Sequence, residues 1–365
     1  MSEAALVLQD GTVYRGKAFG ADCEAYGEVV FSTSMVGYQE MLTDPSFAGQ
    51  IVVPTYPLIG NYGINDEDVE SARIQVRGFV VRENCELPSH YRSKRSLHDY
   101  LLEAGIPGLS GVDTRAITRR LRSGGVSMGT IVRGDVQAAR ERLQGVTRYD
   151  DVDFVQEVST RIPYVWDERS DEGATRIVVV DLGVKFTILR ILTALGCVVT
   201  VVPCDYAAED ILLLRPQGVV FSPGPGNPAL LDYSLTTMRA LIGRVPIMGI
   251  CQGHQILGRA FGADTFKLKF GHRGGNHPVK DLLTGRVHIT SQNHGFAVDP
   301  DALSGGLDVS HVNLDDGTVE GLLHRDLPLL SIQYHSEASP GPLDNIYVFE
   351  RFLSMAREEQ KSALV

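Results

Sequence analysis

Four short, almost continuously apolar runs alternate with amphipathic stretches from residue 176 onward. We predict the apolar runs as strands, at 177–180, 198–202, 218–222 and 246–250. The stretches between them are predicted as helices, at 185–195, 207–214 and 231–242. Strands that are apolar along their whole length and alternate with helices are typical of a mostly parallel sheet that helices cover on both faces. The pattern therefore predicts an α/β domain in the second half of the chain.

The sequence on either side of this region has other patterns, and 365 residues are enough for two domains. Short runs after residue 262 predict antiparallel additions to the sheet, and a last helix is expected at 345–356. Residues 1–150 predict a strand-rich mixed α/β domain with helices at 97–104 and 114–122. The acidic segment 151–175 has no sustained periodicity, so we predict a linker there and assign 176–365 to the second domain.

Composition excludes several classes of protein. The net charge of −11 and the pI near 5.4 argue against a nucleic-acid-binding protein, which normally needs a basic surface. No apolar run approaches the ~18–20 residues of a membrane span, and the first residues lack the basic and apolar regions of a signal peptide. We therefore expect a cytoplasmic protein that binds neither nucleic acid nor membrane.

The five cysteines form no CxxC pair, and their number is odd. This count argues against a disulfide framework and against a cysteine-rich zinc site, and we predict no metal site in this chain. Four of the cysteines have ordinary surroundings. Cys251 differs, because it lies between glycines at the junction of a predicted strand and a predicted helix.

Residues 249–253 (GICQG) have the glycine–x–nucleophile–x–glycine spacing of a nucleophile elbow. A tight strand-to-helix turn projects the side chain of Cys251 above the sheet edge, and the glycines leave room for the strained backbone. The N-terminus of the next helix favours a thiolate, and the backbone N–H of Gln252 is placed to hold an oxyanion. A buried cysteine in a glycine-rich turn is the alternative interpretation. The strand–turn–helix context favours catalysis.

A thiolate nucleophile needs a base, and His335 is the best placed of the ten histidines. A predicted apolar strand leads to it, and sites in α/β sheets gather at the carboxyl ends of strands. Glu337 lies two residues on, so in an extended backbone both side chains face the same way, and its carboxylate can orient the imidazole. His254 is closer to Cys251 in sequence, but it should point along the helix, so we predict a packing role for it.

Two further segments have the composition of substrate-binding loops. Residues 222–228 (SPGPGNP) follow a predicted strand and form either one wall of a small-substrate pocket or a rigid connection. They lack the Gly-Lys-Ser/Thr of a phosphate loop. Residues 291–296 (SQNHGF) either contact a polar amino-acid substrate or form a hairpin turn.

Together, residues 249–255 (GICQGHQ), 334–337 (YHSE) and 222–226 (SPGPG) resemble the class I, triad-type glutamine amidotransferase domain, over about 176–360. The resemblance implies hydrolysis of the side-chain amide of glutamine through a γ-glutamyl thioester on Cys251. In that reaction His335 acts as base and then as acid, and Glu337 orients it.

The N-terminal half of the chain restricts the resemblance to one family of amidotransferase subunits. Residues 29–40 (VVFSTSMVGYQE), 42–46 (LTDPS), 60–63 (GNYG) and 111–115 (GVDTR), together with 292–299 (QNHGFAVD), resemble the small-chain family of carbamoyl phosphate synthetase. The matches span nearly the whole chain. The residues that this resemblance implies as glutamine contacts are Ser46, Gly224, Gly226, Gln252, Gln255, Asn293, Gly295 and Phe296.

The resemblance also implies a partner. No ATP-grasp-like region follows the amidotransferase domain, so we expect a separate subunit in a heterodimer with a large synthetase subunit. That subunit makes carbamoyl phosphate from bicarbonate and ATP, for arginine and pyrimidine synthesis. ATP and a divalent metal are expected on the partner, and no cofactor is expected in this chain. Four arginines of the helix at 114–122 are either contact residues for the partner or a solvated face, namely Arg115, Arg119, Arg120 and Arg122.

Other functions fit the sequence less well. An amidotransferase of anthranilate or guanine-nucleotide synthesis shares the chemistry but does not explain residues 1–150. A cysteine peptidase or a γ-glutamyl hydrolase shares the Cys–His pair and is distinguished by its substrate. A non-catalytic scaffold predicts a lost nucleophile or base, and both are present. A nicotinamide-binding protein lacks its G-x-G-x-x-G, and a zinc deaminase lacks its PCxxC.

Overall fold

The computed structural model describes residues 2–167 and 173–363, with side chains described up to residue 358. The chain divides into two compact units, Met1–Val152 and Asp153–Val365. Within the described ranges we find no helix with the length and apolar character needed to cross a bilayer.

The first unit is built on a closed barrel of seven strands, in the order β1-β2-β8-β6-β4-β3-β9. Parallel pairs, such as β3 with β4, occur beside antiparallel pairs, such as β1 with β2. β5 and β7 pair with each other outside the barrel. The strands of this unit are β1 (Glu3–Leu8), β2 (Val13–Gly20), β3 (Ala25–Ser32), β4 (Gln50–Pro54), β5 (Leu58–Ile59), β6 (Gly78–Val80), β7 (Glu83–Asn84), β8 (Pro107–Ser110) and β9 (Ser127–Val132). The helices are α1 (Tyr38–Thr43), α2 (Leu97–Glu103), α3 (Thr114–Gly124) and α4 (Val136–Gln144). This unit is the strand-rich mixed structure that we predicted.

The second unit is built on one sheet of ten strands, in the order β10-β12-β11-β13-β14-β19-β18-β17-β15-β16. Its strands are β10 (Tyr164–Val165), β11 (Thr175–Asp181), β12 (Cys197–Pro203), β13 (Gly218–Phe221), β14 (Ile247–Ile250), β15 (Thr265–Asp281), β16 (Val287–Val298), β17 (Leu307–Asn313), β18 (Val319–His324) and β19 (Leu329–Ile332). Its helices are α5 (Val155–Val158), α6 (Phe186–Ala194), α7 (Ala208–Leu213), α8 (Asp232–Leu241), α9 (Gln252–Ala260) and α10 (Tyr347–Ala363). The strands from β12 to β19 in this order are parallel, and the strands from β18 to β16 are antiparallel additions.

Apolar side chains fill both faces of this sheet, because successive residues of a strand point to opposite sides. Along β11, Val178 and Val180 belong to the core under α7, α8 and α9. Ile177 and Val179 belong to the other core, under α6 and α10. The predicted α/β class, with a mostly parallel sheet covered by helices and extended by antiparallel strands, is therefore confirmed.

The segment that we predicted as a linker, 151–175, is structured over its described part. Tyr164 in β10 pairs antiparallel with Val201 in β12, so this short strand extends the sheet of the second unit. The backbone N–H of Thr160 donates to Asp181 Oδ2 at 2.7 Å. These contacts assign the segment from Asp153 to the second unit. Residues 168–172 of the predicted linker lie outside the described residues.

The antiparallel strands after residue 262 are longer than we predicted. β15 has 17 residues and β16 has 12, where the glycine turns suggested short strands. Their pairing changes register between Lys267 and His272, and again between Gly274 and His277. Bulges absorb extra residues without ending a strand, so pairing continues through a glycine-rich sequence.

Candidate active site

Two neighbouring parallel strands bring the nucleophile and the base candidate to one edge of the sheet. β14 ends at Ile250, directly before Cys251, and β19 ends at Ile332, three residues before His335. Ile250 and Ile332 are register partners. Because the strands are parallel, both loops leave the sheet at the same edge.

The backbone of Cys251 has the conformation of a strained elbow. Its φ is 51° and its ψ is −99°, outside the regions that L residues favour. Its N–H donates to the carbonyl of Ile332 at 2.8 Å, and its carbonyl accepts from the N–H of Gln255 at 3.1 Å. Cys251 thus hydrogen-bonds to β19 through its N–H and, as the N-cap residue, to α9 through its carbonyl. The helix begins at Gln252, directly after Cys251.

The glycines flanking Cys251 are required by close approach of the backbone. A Cβ at Gly249 would lie 2.6 Å from the carbonyl oxygen of Gly253, and a Cβ at Gly253 would lie 2.2 Å from that of Phe221. Both distances are far below van der Waals contact. The turn therefore has no room for any side chain at these two positions, which explains the spacing of the motif.

His335 and Glu337 form a buried pair beside this elbow. The two side chains are 2% and 0% exposed, and His335 Nδ1 lies 2.6 Å from Glu337 Oε1. An ionised carboxylate only accepts hydrogen bonds, so Nδ1–H donates to Glu337, and the other nitrogen, Nε2, is not used by this pair. Nε2 has no hydrogen-bond partner within the described residues. Glu337 thus holds one nitrogen of the imidazole, and the role of this pair in catalysis stays a prediction.

Neighbouring charges shift the pKa values of this pair in opposite directions. Burial lowers the pKa of His335, but the carboxylate of Glu337 and the adjacent thiol of Cys251 outweigh it and raise this pKa to about 10. Burial raises the pKa of Glu337, but the ammonium of Lys185 and the imidazole of His335 lower it to about 2. Glu337 is therefore ionised at neutral pH. The thiol of Cys251 and the imidazole of His335 are close enough to interact.

Lys185 is a member of this cluster that the sequence did not single out. Its side chain is 2% exposed, and its Nζ lies 3.2 Å from Glu337 Oε1. The residue follows β11, so a third parallel strand contributes to the same sheet edge. The one available signal was its position at the start of the predicted helix 185–195, a few residues after the predicted strand 177–180. Its partner is some 150 residues away in the chain, so no local pattern joins the two.

Two other histidines of the second unit, His254 and His294, are held by other groups. His254 is fully buried, its Nδ1 lies 2.9 Å from Ser331 Oγ, and burial lowers its pKa to about 3. This environment fits the packing role predicted for it. Both ring nitrogens of His294 lie against other groups, Nδ1 2.8 Å from the carbonyl oxygen of Phe296 and Nε2 3.0 Å from the side-chain amide of Gln292. Both of its nitrogens are therefore engaged away from the thiol.

Several residues implied as glutamine contacts lie around the elbow. The carbonyl oxygen of Asn293 is 3.8 Å from Cys251 Sγ. Gln255 Nε2 donates to the carbonyl of Phe296 at 2.9 Å, so this amide holds α9 against β16. Gln252 begins α9, and Gly295 lies on β16 between Asn293 and Phe296.

The remaining implied contacts lie in a loop of the second unit and in a short 3-10 helix, Pro45–Phe47, of the first unit. Gly224 and Gly226 belong to the loop after β13, and a Cβ at Gly224 would lie 2.2 Å from the carbonyl oxygen of Leu182. Ser46 belongs to the first unit, where its N–H donates to Asp44 Oδ1 at 2.9 Å and its Oγ is buried without a hydrogen-bond partner among the described residues. The roles of these residues in binding glutamine stay predictions.

One cluster in the second unit has the composition of a metal site. The ligand-type atoms of His272, His294 and Glu320 all lie within 4.8 Å of one another, and all three residues are buried. His272 Nε2 lies 2.8 Å from Asp316 Oδ2, and Nδ1 lies 3.6 Å from Glu320 Oε1. Burial lowers the pKa of His272, but these two carboxylates raise it to about 9. A protonated His272 donates to Asp316 and lies beside Glu320, as in an ion-pair network, and burial raises the pKa of Glu320.

Family models and known relatives match this chain over most of its length. Residues 6–131 match the family described as carbamoyl-phosphate synthase small chain, CPSase domain, and residues 178–355 match glutamine amidotransferase class-I. A protein named carbamoyl phosphate synthase small chain from Syntrophotalea carbinolica is 49% identical, over 99% of this chain and 99% of that protein. Proteins with the same name from Methanopyrus kandleri and Symbiobacterium thermophilum are each 51% identical. These matches cover 97% and 95% of this chain and 99% and 97% of those proteins. The family predicted from the motifs is thereby confirmed, and the chain belongs to the carbamoyl phosphate synthase small chain family.

Proposed function

We propose that this chain hydrolyses the side-chain amide of glutamine to glutamate and ammonia through a thioester on Cys251. The observation that carries the proposal is the buried grouping of Cys251 on a strained elbow with His335 held by Glu337. A nucleophile, a base and an orienting carboxylate are the parts that acyl transfer by a thiol needs.

In the first half of the reaction, Nε2 of His335 takes the proton of the Cys251 thiol, and the thiolate sulfur attacks the amide carbon of glutamine and forms a C–S bond. The carbonyl oxygen becomes an oxyanion, for which the backbone N–H of Gln252, at the start of α9, is the proposed donor. The C–N bond then breaks while the imidazolium of His335 gives its Nε2 proton to the leaving nitrogen. The products of this half are ammonia and a γ-glutamyl thioester.

In the second half, water attacks the thioester. His335 is now neutral, so Nε2 takes a proton from the water as the C–O bond forms. The C–S bond breaks, glutamate leaves, and the thiolate and the imidazolium are restored. Glu337 keeps the imidazole in one tautomer through both halves, because Nδ1–H stays bound to its carboxylate. No cofactor or metal of this chain is needed in either half.

The ammonia is proposed to pass to a large synthetase subunit that makes carbamoyl phosphate from bicarbonate and ATP, for arginine and pyrimidine synthesis. The family membership supports this partner. ATP and a divalent metal are proposed to bind to the large subunit. Ammonia released into water is protonated and loses the lone pair that makes it a nucleophile, so direct transfer between subunits protects it. Ser46, Gly224, Gly226, Gln252, Gln255, Asn293, Gly295 and Phe296 are the proposed glutamine contacts.

The test is glutamate release from glutamine by the full chain, purified together with the large subunit from cells that contain both. Acid quenching with labelled glutamine should trap label on the chain if the thioester forms. Cys251→Ser and Cys251→Ala should give neither glutamate nor trapped label. Cys23→Ser is the matched control, because Cys23 is exposed in the first unit, and it should behave like the unmodified chain. Normal turnover in a Cys251 variant, or turnover of peptides in place of glutamine, would contradict the proposal.

A further inference from the structure

Three buried side chains of the second unit converge from three strands. His272 on β15 and His294 on β16 are register partners, so their side chains share one face of this antiparallel pair. Glu320 lies on β18. The ligand-type atoms of the three side chains all lie within 4.8 Å of one another, and His272 Nδ1 is 3.6 Å from Glu320 Oε1. Donor atoms around a tetrahedral Zn²⁺ are about 3.3–3.5 Å apart, so the cluster is close to the size of a metal site.

Both imidazoles of this cluster are oriented as metal ligands are. Asp316 Oδ2 lies 2.8 Å from His272 Nε2, and a carboxylate only accepts, so Nε2 carries a hydrogen and Nδ1 is the nitrogen beside Glu320. The carbonyl oxygen of Phe296 lies 2.8 Å from His294 Nδ1, so Nδ1 carries a hydrogen there. A metal-binding histidine usually donates its other ring N–H to a carboxylate or a backbone carbonyl. The two rings have one of each.

The hydrogen bonds around His294 Nε2 place two acceptors against each other. The hydroxyl of Thr290 donates to the carbonyl of His277 at 2.9 Å, so Thr290 Oγ1 accepts from Gln292 Nε2 at 3.2 Å. This arrangement fixes the amide oxygen of Gln292 at 3.0 Å from His294 Nε2. A doubly protonated His294 would avoid the conflict, but it would bury a second imidazolium beside His272, with ring centres 5.0 Å apart. A cation between the two lone pairs removes it.

Glu320 adds negative charge that the cluster does not match. Its side chain is fully buried, and its Oε1 accepts from Asn313 Nδ2 at 2.9 Å. Its Oε2 has no hydrogen-bond partner among the described residues. A buried carboxylate oxygen without a partner is costly. One imidazolium at His272 faces two carboxylates, those of Asp316 and Glu320, whereas a divalent cation has the charge of both.

We propose that His272, His294 and Glu320 bind a Zn²⁺ ion, with the side-chain oxygen of Gln292 as the fourth ligand. Imidazole and carboxylate suit this ion, which is tetrahedral in structural sites. The ion takes the place of the second proton of His272, which leaves Nδ1 for the solvent. The ion joins the β15–β16 pair to β18 and takes no part in the proposed glutaminase reaction. The inference departs from the metal-free chain expected from the cysteine count, because none of these ligands is a cysteine.

The test measures zinc binding by the full chain without the large subunit, on which another divalent metal is expected. The chain is treated with a chelator, separated by gel filtration and titrated with zinc chloride. We expect about one Zn²⁺ ion per chain, and an X-ray absorption spectrum with nitrogen and oxygen neighbours at about 2.0–2.2 Å and no sulfur. Asp316→Asn should weaken zinc binding about 10–100-fold, because this residue only orients His272, and Glu320→Gln should weaken it more. The matched control is His288→Gln, also on β16, which should bind zinc like the unmodified chain.

Cys251→Ala separates this site from the candidate active site, whose thiol is itself a possible zinc ligand. This variant should bind zinc as tightly as the unmodified chain. Loss of zinc in Cys251→Ala, or a sulfur neighbour in the absorption spectrum, would assign the ion to Cys251 and overturn the inference. Zinc well below one ion per chain, or equal affinity in Asp316→Asn and His288→Gln, would leave only an ion-pair network and overturn it as well. Asp316 lies in the exposed turn between β17 and β18, so its variant decides the test even where Glu320→Gln does not fold.

Discussion

The strain at Cys251 leads to a prediction that reverses an ordinary rule of stability. Glycine normally makes a folded chain less stable than alanine by about 0.5–1 kcal/mol, through the greater entropy of the unfolded chain. A residue with a Cβ held in a sparsely populated conformation costs about 1–3 kcal/mol, and the φ of 51° and ψ of −99° at Cys251 are such a conformation. Glycine avoids this strain. The difference between the two effects is about 0 to 2.5 kcal/mol in favour of glycine. We therefore expect Cys251→Gly to be more stable than Cys251→Ala by about 1 kcal/mol.

The two variants are compared by thermal and urea unfolding of the full chain. Neither variant should release glutamate, so a difference in stability cannot arise from substrate turnover. A difference of about 1 kcal/mol should raise the midpoint temperature of Cys251→Gly over that of Cys251→Ala by about 2–4 °C, for a unit of this size. The matched control is Cys197, which is also buried in the second unit but lies in β12 with ordinary strand geometry. There the order should be the usual one, with Cys197→Gly less stable than Cys197→Ala.

The reasoning is refuted if the two positions behave alike. If Cys251→Gly is less stable than Cys251→Ala by the usual ~0.5–1 kcal/mol, the elbow stores no backbone strain. The positive φ of Cys251 would then cost the folded chain no free energy.

Three further predictions concern the same sheet edge. His335→Asn should lower the rate of glutamate release by ~10²–10⁴, and Glu337→Gln should lower it less, because the surrounding structure still assists orientation; an unchanged rate in His335→Asn would point to another base. Gly224→Ala should abolish glutamate release in a folded chain, because its Cβ would lie 2.2 Å from the carbonyl oxygen of Leu182, and a fully active variant would show that this loop moves freely. Burial lowers the pKa of His254 from its ordinary value of 6.5 to about 3 in the folded chain. The unfolded chain therefore binds an extra proton at this residue, and the urea midpoint should fall as the pH drops from about 6.5 toward 3. His254→Gln should have a smaller fall over that range, and an equal fall in both proteins would assign the pH dependence to other groups.

Local patterns predicted the sheet and the catalytic candidates, because each depends on residues that are close in sequence. The apolar runs that became β11 to β14 carry their own signal of burial on both faces. The elbow needs only the spacing of glycines around Cys251, and Glu337 lies two residues from its partner His335. Physical constraints that act within a few residues can be identified in a single sequence.

The features that the sequence did not predict depend on contacts between residues that are far apart in the chain. Lys185 is recognised only when β11 and the end of β19 are placed at the same edge. β10 lies in a segment without periodicity, and it becomes a strand because Tyr164 pairs with β12. β15 continues through glycines that favour turns, because its neighbours in the sheet supply hydrogen bonds along its length and bulges absorb the irregularities.

The position of β19 has a consequence for the order in which this protein is completed during synthesis. Among the described strands it is the last in sequence, yet it lies in the middle of the sheet, between β14 and β18. A ribosome-bound chain that ends before residue 329 therefore has two half-sheets with open inner edges, and such edges invite wrong pairing. Such a chain also has Cys251, the proposed nucleophile, without His335, the proposed base. Insertion of the four-residue strand β19 joins the halves and brings the proposed base to the sheet edge, so we expect that an unfinished chain does not hydrolyse glutamine.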